Sequence, residues 1–192
     1  MSGSGARNLW QPARMANHSN EPRSSLADRR IRAATESDRD AVQTIQIETG
    51  LFAADELGDS DAMFDASMDG SLVDHAWIVS ESDAGAVVGA AYFAPEPFSD
   101  RMWNLYFVGV LPEHQGSGTG GALVDHVERA LRDRGSDVAR TLIVETSSLA
   151  GFAGTRAFYV AHGFDEEARI RDFYAPGEHK VVFWKSLMAD SR

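Results

Sequence analysis

Past a first stretch without apolar periodicity, hydrophobic positions follow two rhythms along this chain. Short β-rich runs at 30–34, 76–80, 86–93, 103–110 and 141–146, one opened by Gly163-Phe164, and one at 181–184 read as strands. Helical spacing falls between them. Val42 and Ile45 mark a helix ending before Gly50, a second is expected around 62–68, and a third covers 120–134. In that third segment Leu123, Val124, Val127, Ala130 and Leu131 share a face, Arg132 and Arg134 end it, and Gly135 stops it. A short helix covers 155–162. Ser37 with Asp40 is the expected cap of the first helix. Residues 81–85 turn a hairpin, Pro95 and Pro97 end it, and Gly109 predicts a bulge inside the 103–110 strand. The predicted order is β-α-α-β-β-β-α-β-α-β-β, with no internal repeat. Residues 1–28, with Gly3, Gly5, Pro12 and Pro22 among serines and asparagines, predict a disordered tail ahead of a domain over 29–188.

Composition narrows the function. A chain of 192 residues, 43% of them apolar, supports one domain with a real core, and no run approaches the length of a membrane span. Cysteine is absent, which excludes disulfides, thiolate metal sites and a cysteine nucleophile. With no apolar signal segment at the start, a cytoplasmic location is expected. The six histidines lack ligand spacing, so no metal is expected. Net charge is −11 and unevenly placed. Residues 35–100 hold one Lys/Arg against fifteen Asp/Glu, whereas 101–192 hold eleven against twelve. A surface of that sign repels nucleic acid and anionic membrane and attracts cations.

The richest chemistry lies at 108–121, Val-Gly-Val-Leu-Pro-Glu-His-Gln-Gly-Ser-Gly-Thr-Gly-Gly, between a strand and an amphipathic helix. Glycines let backbone amides converge, and the helix start adds its first-turn N–H groups and positive dipole end, so the loop is suited to a phosphate or pyrophosphate. A Walker loop needs lysine where Ala122 stands. The dinucleotide pattern Gly-x-Gly-x-x-Gly occurs at Gly116, Gly118 and Gly121, with Glu145 placed as a ribose acid, but Pro112 and four further residues intervene between strand and first glycine. That reading predicts a parallel sheet. A third takes Gln115-Gly116-Ser117-Gly118-Thr119-Gly120 as Gln/Arg-x-x-Gly-x-Gly/Ala after Val-x-Pro at 110–112.

This third pattern resembles the acetyl-CoA pyrophosphate loop of the GNAT N-acetyltransferase superfamily, small bacterial members in particular. Thr155-Arg156-Ala157-Phe158-Tyr159, followed by Gly163-Phe164, resembles that family's second signature, and residues 168–185 resemble its closing hairpin. The resemblance implies an α/β (α+β) fold: a mixed, mostly antiparallel sheet of six to seven strands, about four flanking helices, and splayed central strands. Acetyl-CoA would be the donor, its pyrophosphate on Gln115, Gly116, Ser117, Gly118, Thr119 and Gly120 and its pantetheine along Val108 and Val110. Many relatives hold the pantetheine with an asparagine where Phe152 stands here, so Thr155 or Ser147 would substitute.

Acetyl transfer to an amine needs a base, since an alkylammonium is only roughly 0.04% neutral at pH 7, and an acid for the leaving thiolate. Tyr159 matches the family's acid position. For the base, Glu145 or a relay of water through backbone carbonyls is open, because the 103–108 strand carries no glutamate. The family holds its acceptor with the first two helices and the closing hairpin, which implies Asp55, Glu56, Phe173 and Tyr174, with Asp59 and Asp61 nearby. An acidic rim with aromatics suits a small cationic amine, an amino-acid derivative or a lysine side chain of a peptide. Family habit implies a homodimer. The alternative is a non-catalytic acyl-CoA-binding regulatory domain on the same fold.

Overall fold

In the computed structural model, residues 30–50 and 57–188 are described. The expected tail over 1–28 lies outside them. The elements are β1 (Arg30–Ala33), α1 (Arg39–Glu48), α2 (Gly58–Met68), β2 (Ala76–Glu81), β3 (Val87–Pro95), β4 (Met102–Val110), α3 (Thr119–Asp133), β5 (Thr141–Ser147), α4 (Ala153–Ala161), β6 (Asp165–Ala175) and β7 (Glu178–Ser186). Their order is the predicted one.

Seven strands form one sheet in the order β1-β2-β3-β4-β5-β7-β6. Every neighbouring pair is antiparallel except β4 with β5. A parallel pair needs a crossover, and α3 supplies it. This sheet, with one parallel pair, excludes the dinucleotide reading, which requires a mostly parallel one.

Strand alternation sends successive side chains to opposite faces, and both faces are covered. On one, Trp103, Leu105, Val108, Val110, Leu142 and Val144 pack under Leu123, Val124, Val127 and Leu131 of α3 and Tyr159 of α4. On the other, Trp77, Val79, Ala90, Tyr92 and Phe107 pack under Val42 and Ile45 of α1 and Phe64 of α2. Burial on both sides explains why β3 and β4 read as near-continuous apolar runs.

Three local expectations are corrected. Phe107 lies opposite Tyr92 and Leu105 opposite Phe93, so the extra residue of the β4 bulge is Tyr106; Gly109 keeps its register with Ala90. Glycine is required at 109 for packing. A Cβ there would sit 2.7 Å from Phe107 Cζ and 2.9 Å from Ile45 Cγ2, where α1 crosses the sheet. The capping box belongs not to Ser37 but to Thr35, which caps the single 3-10 turn Glu36–Asp38 ahead of α1: Asp38 Oδ2 accepts from the Thr35 backbone N–H at 2.8 Å, and Asp38 is itself the N-cap of α1. Finally, α2 begins at Gly58, earlier than its apolar residues indicate. Asp59 and Asp61 in its first turn favour the helix start electrostatically while carrying no hydrophobic signal.

Candidate active site

The parallel pairing of β4 with β5 is short. It runs from Met102 opposite Thr141 to Leu105 opposite Val144, after which β4 continues to Val110 and β5 to Ser147 without pairing. The bulge at Tyr106 sits where they part, and a bulge bends its strand away. Leu111 N–H donates to Val88 O on the β3 side at 2.9 Å. By the two-residue alternation of a strand, the backbone groups of Val110 and Val108 therefore face the other way, into the gap. Gln115 confirms the direction for Val110, whose carbonyl accepts from Gln115 Nε2 at 3.0 Å.

The glycine loop closes the wide end of this gap. Gly116 and Gly118 take positive φ, 72° and 87°, and Gly118 caps α3. Ala122 N–H donates to Gly118 O at 3.0 Å, which leaves the Gly120 and Gly121 amides ahead of the helical ladder at the positive end of α3. The Ser117 hydroxyl donates to the His114 carbonyl, and it shares a 3.0 Å hydrogen bond with Thr119 Oγ1. A Cβ at Gly121 would meet His162 Nε2 at 2.6 Å, so α3 and the end of α4 approach closely only because 121 is glycine.

On the α3/α4 face of the sheet lie Tyr159 and Thr155 of α4 and, by strand alternation, Thr146 of β5. Tyr159 is buried against Phe158, Phe164 and Phe183, and that burial raises its phenol above the ordinary value, so it holds its proton across the neutral range. Thr155 is fully buried in α4. Thr146 is a residue the sequence did not single out. It lies two residues beyond Val144, where the pairing of β5 with β4 ends, and its buried hydroxyl has no hydrogen-bond partner among the described residues. Ser147, by contrast, is engaged, donating to Glu178 Oε1 at 2.6 Å.

Glu145 projects to the α1/α2 face, opposite Val144. Its Oε2 is 2.6 Å from Lys180 Nζ, both side chains being largely buried, and Lys180 also lies 3.7 Å from the centre of the Phe173 ring. Tyr174 has a buried hydroxyl without a partner; burial first, then the charges of Glu145 and Glu178, raise it. Tyr106, the bulge residue, donates to Glu96 Oε2 at 3.0 Å, and Asn104 Nδ2 donates to the same oxygen at 3.0 Å. Burial, then the Glu96 charge, raises the Tyr106 phenol well above its usual value. Thus Glu145, Phe173 and Tyr174 come together, joined by Lys180, Tyr106, Asn104 and Glu96, which the sequence did not mark. Asp55 and Glu56 lie outside the described residues. Asp61 accepts from Gln43 on the neighbouring helix at 2.8 Å.

Residues 73–166 match the family profile of the acetyltransferase (GNAT) domain. Among solved structures, one named as an acetyltransferase of the GNAT family from Desulfovibrio desulfuricans is 28% identical, with a TM-score of 0.76 over 84% of this chain and 100% of that one. The ribosomal-protein-S18-alanine N-acetyltransferase of Escherichia coli shares the fold at 18% identity and TM-score 0.65, covering 86% of this chain and 98% of its own. An aminoglycoside 6'-N-acetyltransferase complexed with coenzyme A does so at 12% identity and TM-score 0.66, over 84% and 99%. Among curated proteins no sequence matches. The chain carries a GNAT acetyltransferase domain. Enzymes of this class take their acetyl group from acetyl-CoA.

The residues present fit that donor. The strand edge at Val108 and Val110 offers backbone partners for amides, the amides of the loop and of the α3 start suit a pyrophosphate, and the orphaned Thr146 hydroxyl lies on the α3/α4 face of the sheet. Among the described residues no helix is long and apolar enough to cross a membrane.

Proposed function

We propose that the protein acetylates a primary amine by direct attack within a ternary complex of enzyme, acetyl-CoA and acceptor. The observation that carries this reading is the gap between β4 and β5, with a helix N-terminus and glycine loop at its mouth and carboxylates on the opposite face. Gln115, Gly116, Ser117, Gly118, Thr119 and Gly120 would hold the pyrophosphate, Val108 and Val110 the pantetheine amides, and Thr155 and Thr146 would line the α3/α4 side. The acceptor would enter from the other face, toward Phe173 and Tyr174. Because the chain contains no cysteine, a thiol-borne acetyl intermediate is ruled out, which favours direct transfer.

Attack forms a bond from the amine nitrogen to the thioester carbonyl carbon and breaks the carbon–sulfur bond. The departing thiolate takes its proton from the Tyr159 phenol, and the proton that the attacking nitrogen sheds as the amide forms restores the phenol. The proton lost by the ammonium goes to Glu145, whose Oε2 is held by Lys180 while Oε1 receives no hydrogen bond among the described residues. Backbone amides beside Val110 would steady the negative charge that develops on the carbonyl oxygen.

Tyr159→Phe tests the assignment. Thiol release from acetyl-CoA should fall by about 100-fold in kcat, the lower range for loss of a general acid, while calorimetric affinity for acetyl-CoA stays within about 2-fold. Equal kcat in wild type and variant would remove Tyr159 from the chemistry.

A further inference from the structure

At the fork where β4 and β5 part, a backbone acceptor of β4 is held by a side chain and not by a strand. Val110 is 4% exposed, its backbone groups face the gap, and pairing with β5 has ended at Leu105. A buried carbonyl left without a donor is costly. Gln115 supplies the donor, its Nε2 lying 3.0 Å from Val110 O. The loop between them sets this reach. Pro112 opens a single 3-10 turn over Pro112–His114, in which His114 N–H donates to Leu111 O at 2.9 Å. That turn folds the chain back on the end of β4, so a side chain five residues on meets the Val110 carbonyl.

A glutamine side chain ends in a carboxamide, whose nitrogen donates as the N–H of a secondary amide does. The pantetheine arm of acetyl-CoA carries secondary amides. Drawn along the open edge of β4, such an amide would compete with Gln115 for the same carbonyl.

We propose that the Gln115 side chain is a latch: in the free protein it stands in for a pantetheine amide on the Val110 carbonyl, and it gives up that carbonyl when acetyl-CoA enters the gap. This rests on the transferase reading above and adds a conformational step to the binding of its donor. Closed, the latch satisfies a buried acceptor at the edge of an open gap; acetyl-CoA binds only when it opens. Apparent affinity is then the intrinsic affinity reduced by the fraction of molecules whose latch is open. A hydrogen bond of ordinary net strength leaves that fraction at roughly a third to a tenth.

The experiment is calorimetric titration of wild type and Gln115→Met with acetyl-CoA, methionine keeping the length of the side chain and removing the donor. The variant should bind about 3- to 10-fold more tightly. By stopped flow the gain should fall in the association rate, with dissociation little changed, because the latch closes only the free protein. ADP has a pyrophosphate but no pantetheine, so any change in its affinity should be smaller than the change for acetyl-CoA. Gln115→Asn, which draws the amide back by one methylene, should repeat the gain and serves if the methionine variant does not fold. Equal or weaker binding of acetyl-CoA by the variants overturns the latch and leaves the transferase reading standing. A gain shared equally by ADP also overturns it, since the effect would then lie in the glycine loop. Wild type that binds no acetyl-CoA overturns both.

Discussion

Gly109 shows how much a single missing Cβ decides in this molecule. The strand it belongs to lies under α1, and the space a methyl group would occupy is already held by Phe107 and Ile45. Gly109→Ala forces one of these rings or methyls off its rotamer in a core where nothing is loose. A loss of about 1–3 kcal/mol is expected, read from the denaturant midpoint at unchanged m-value. A variant as stable as wild type would mean that α1 can shift without cost. The presence of an unusual residue in β4 was legible in the sequence, but its purpose was not. A glycine within a strand fits either a bulge or a close approach, and only the tertiary position of α1 separates them. The same holds for Glu96, Asn104 and Tyr106. They are spread over a turn and a strand, and nothing in their spacing announces that they share one carboxylate oxygen.

At the scale of elements, the strong periodic signals were sufficient. The apolar face of α3 and the runs of β3, β4 and β5 stand in the sequence within one or two residues of their observed bounds. Where packing carries less of the helix, the pattern thins. α2 buries Phe64 and Ser60 but little else along its face, so its first turn, rich in aspartate, left no apolar trace. The gap between β4 and β5 is an element-level property. It arises because hydrogen bonding stops after Leu105 and Val144 and the Tyr106 bulge bends β4, events that side-chain alternation does not encode. The loop that fills its mouth was legible because glycine, a helix start and their order are written in one contiguous stretch. The opposite face was not, since it is assembled from five separate segments.

For the molecule as a whole, the proposed reaction divides labour between the faces of the sheet: the donor would lie with α3 and α4, the acceptor with α1, α2 and the β6–β7 hairpin, and the fork would join them. Stability should follow two half-buried histidines through mild acid. Burial lowers the pKa of His75 and of His126, while the unfolded chain protonates near the ordinary value of about 6.5. Between these limits the unfolded state binds more protons. The stabilisation is therefore present above pH 6.5 and is lost as pH falls through the folded values. His75 Nδ1 lies 2.5 Å from the Tyr92 hydroxyl, so protonating the ring makes Nδ1 a donor and leaves the phenol oxygen as the acceptor. Melting temperature should drop between pH 7.5 and 5.5, and His75→Gln should drop less over the same interval. Parallel curves for the two proteins would show that His75 does not titrate in the transition.

The most direct test of the account is a two-substrate kinetic grid: initial rates of thiol release with acetyl-CoA varied at several fixed concentrations of a primary amine that supports turnover. Direct attack at the fork predicts double-reciprocal lines that intersect, because donor and acceptor must occupy the two faces of the gap together. Parallel lines would mean that the acetyl group first moves onto the protein, and they would contradict the assignment of Tyr159 and Glu145 to a single step across the gap between β4 and β5.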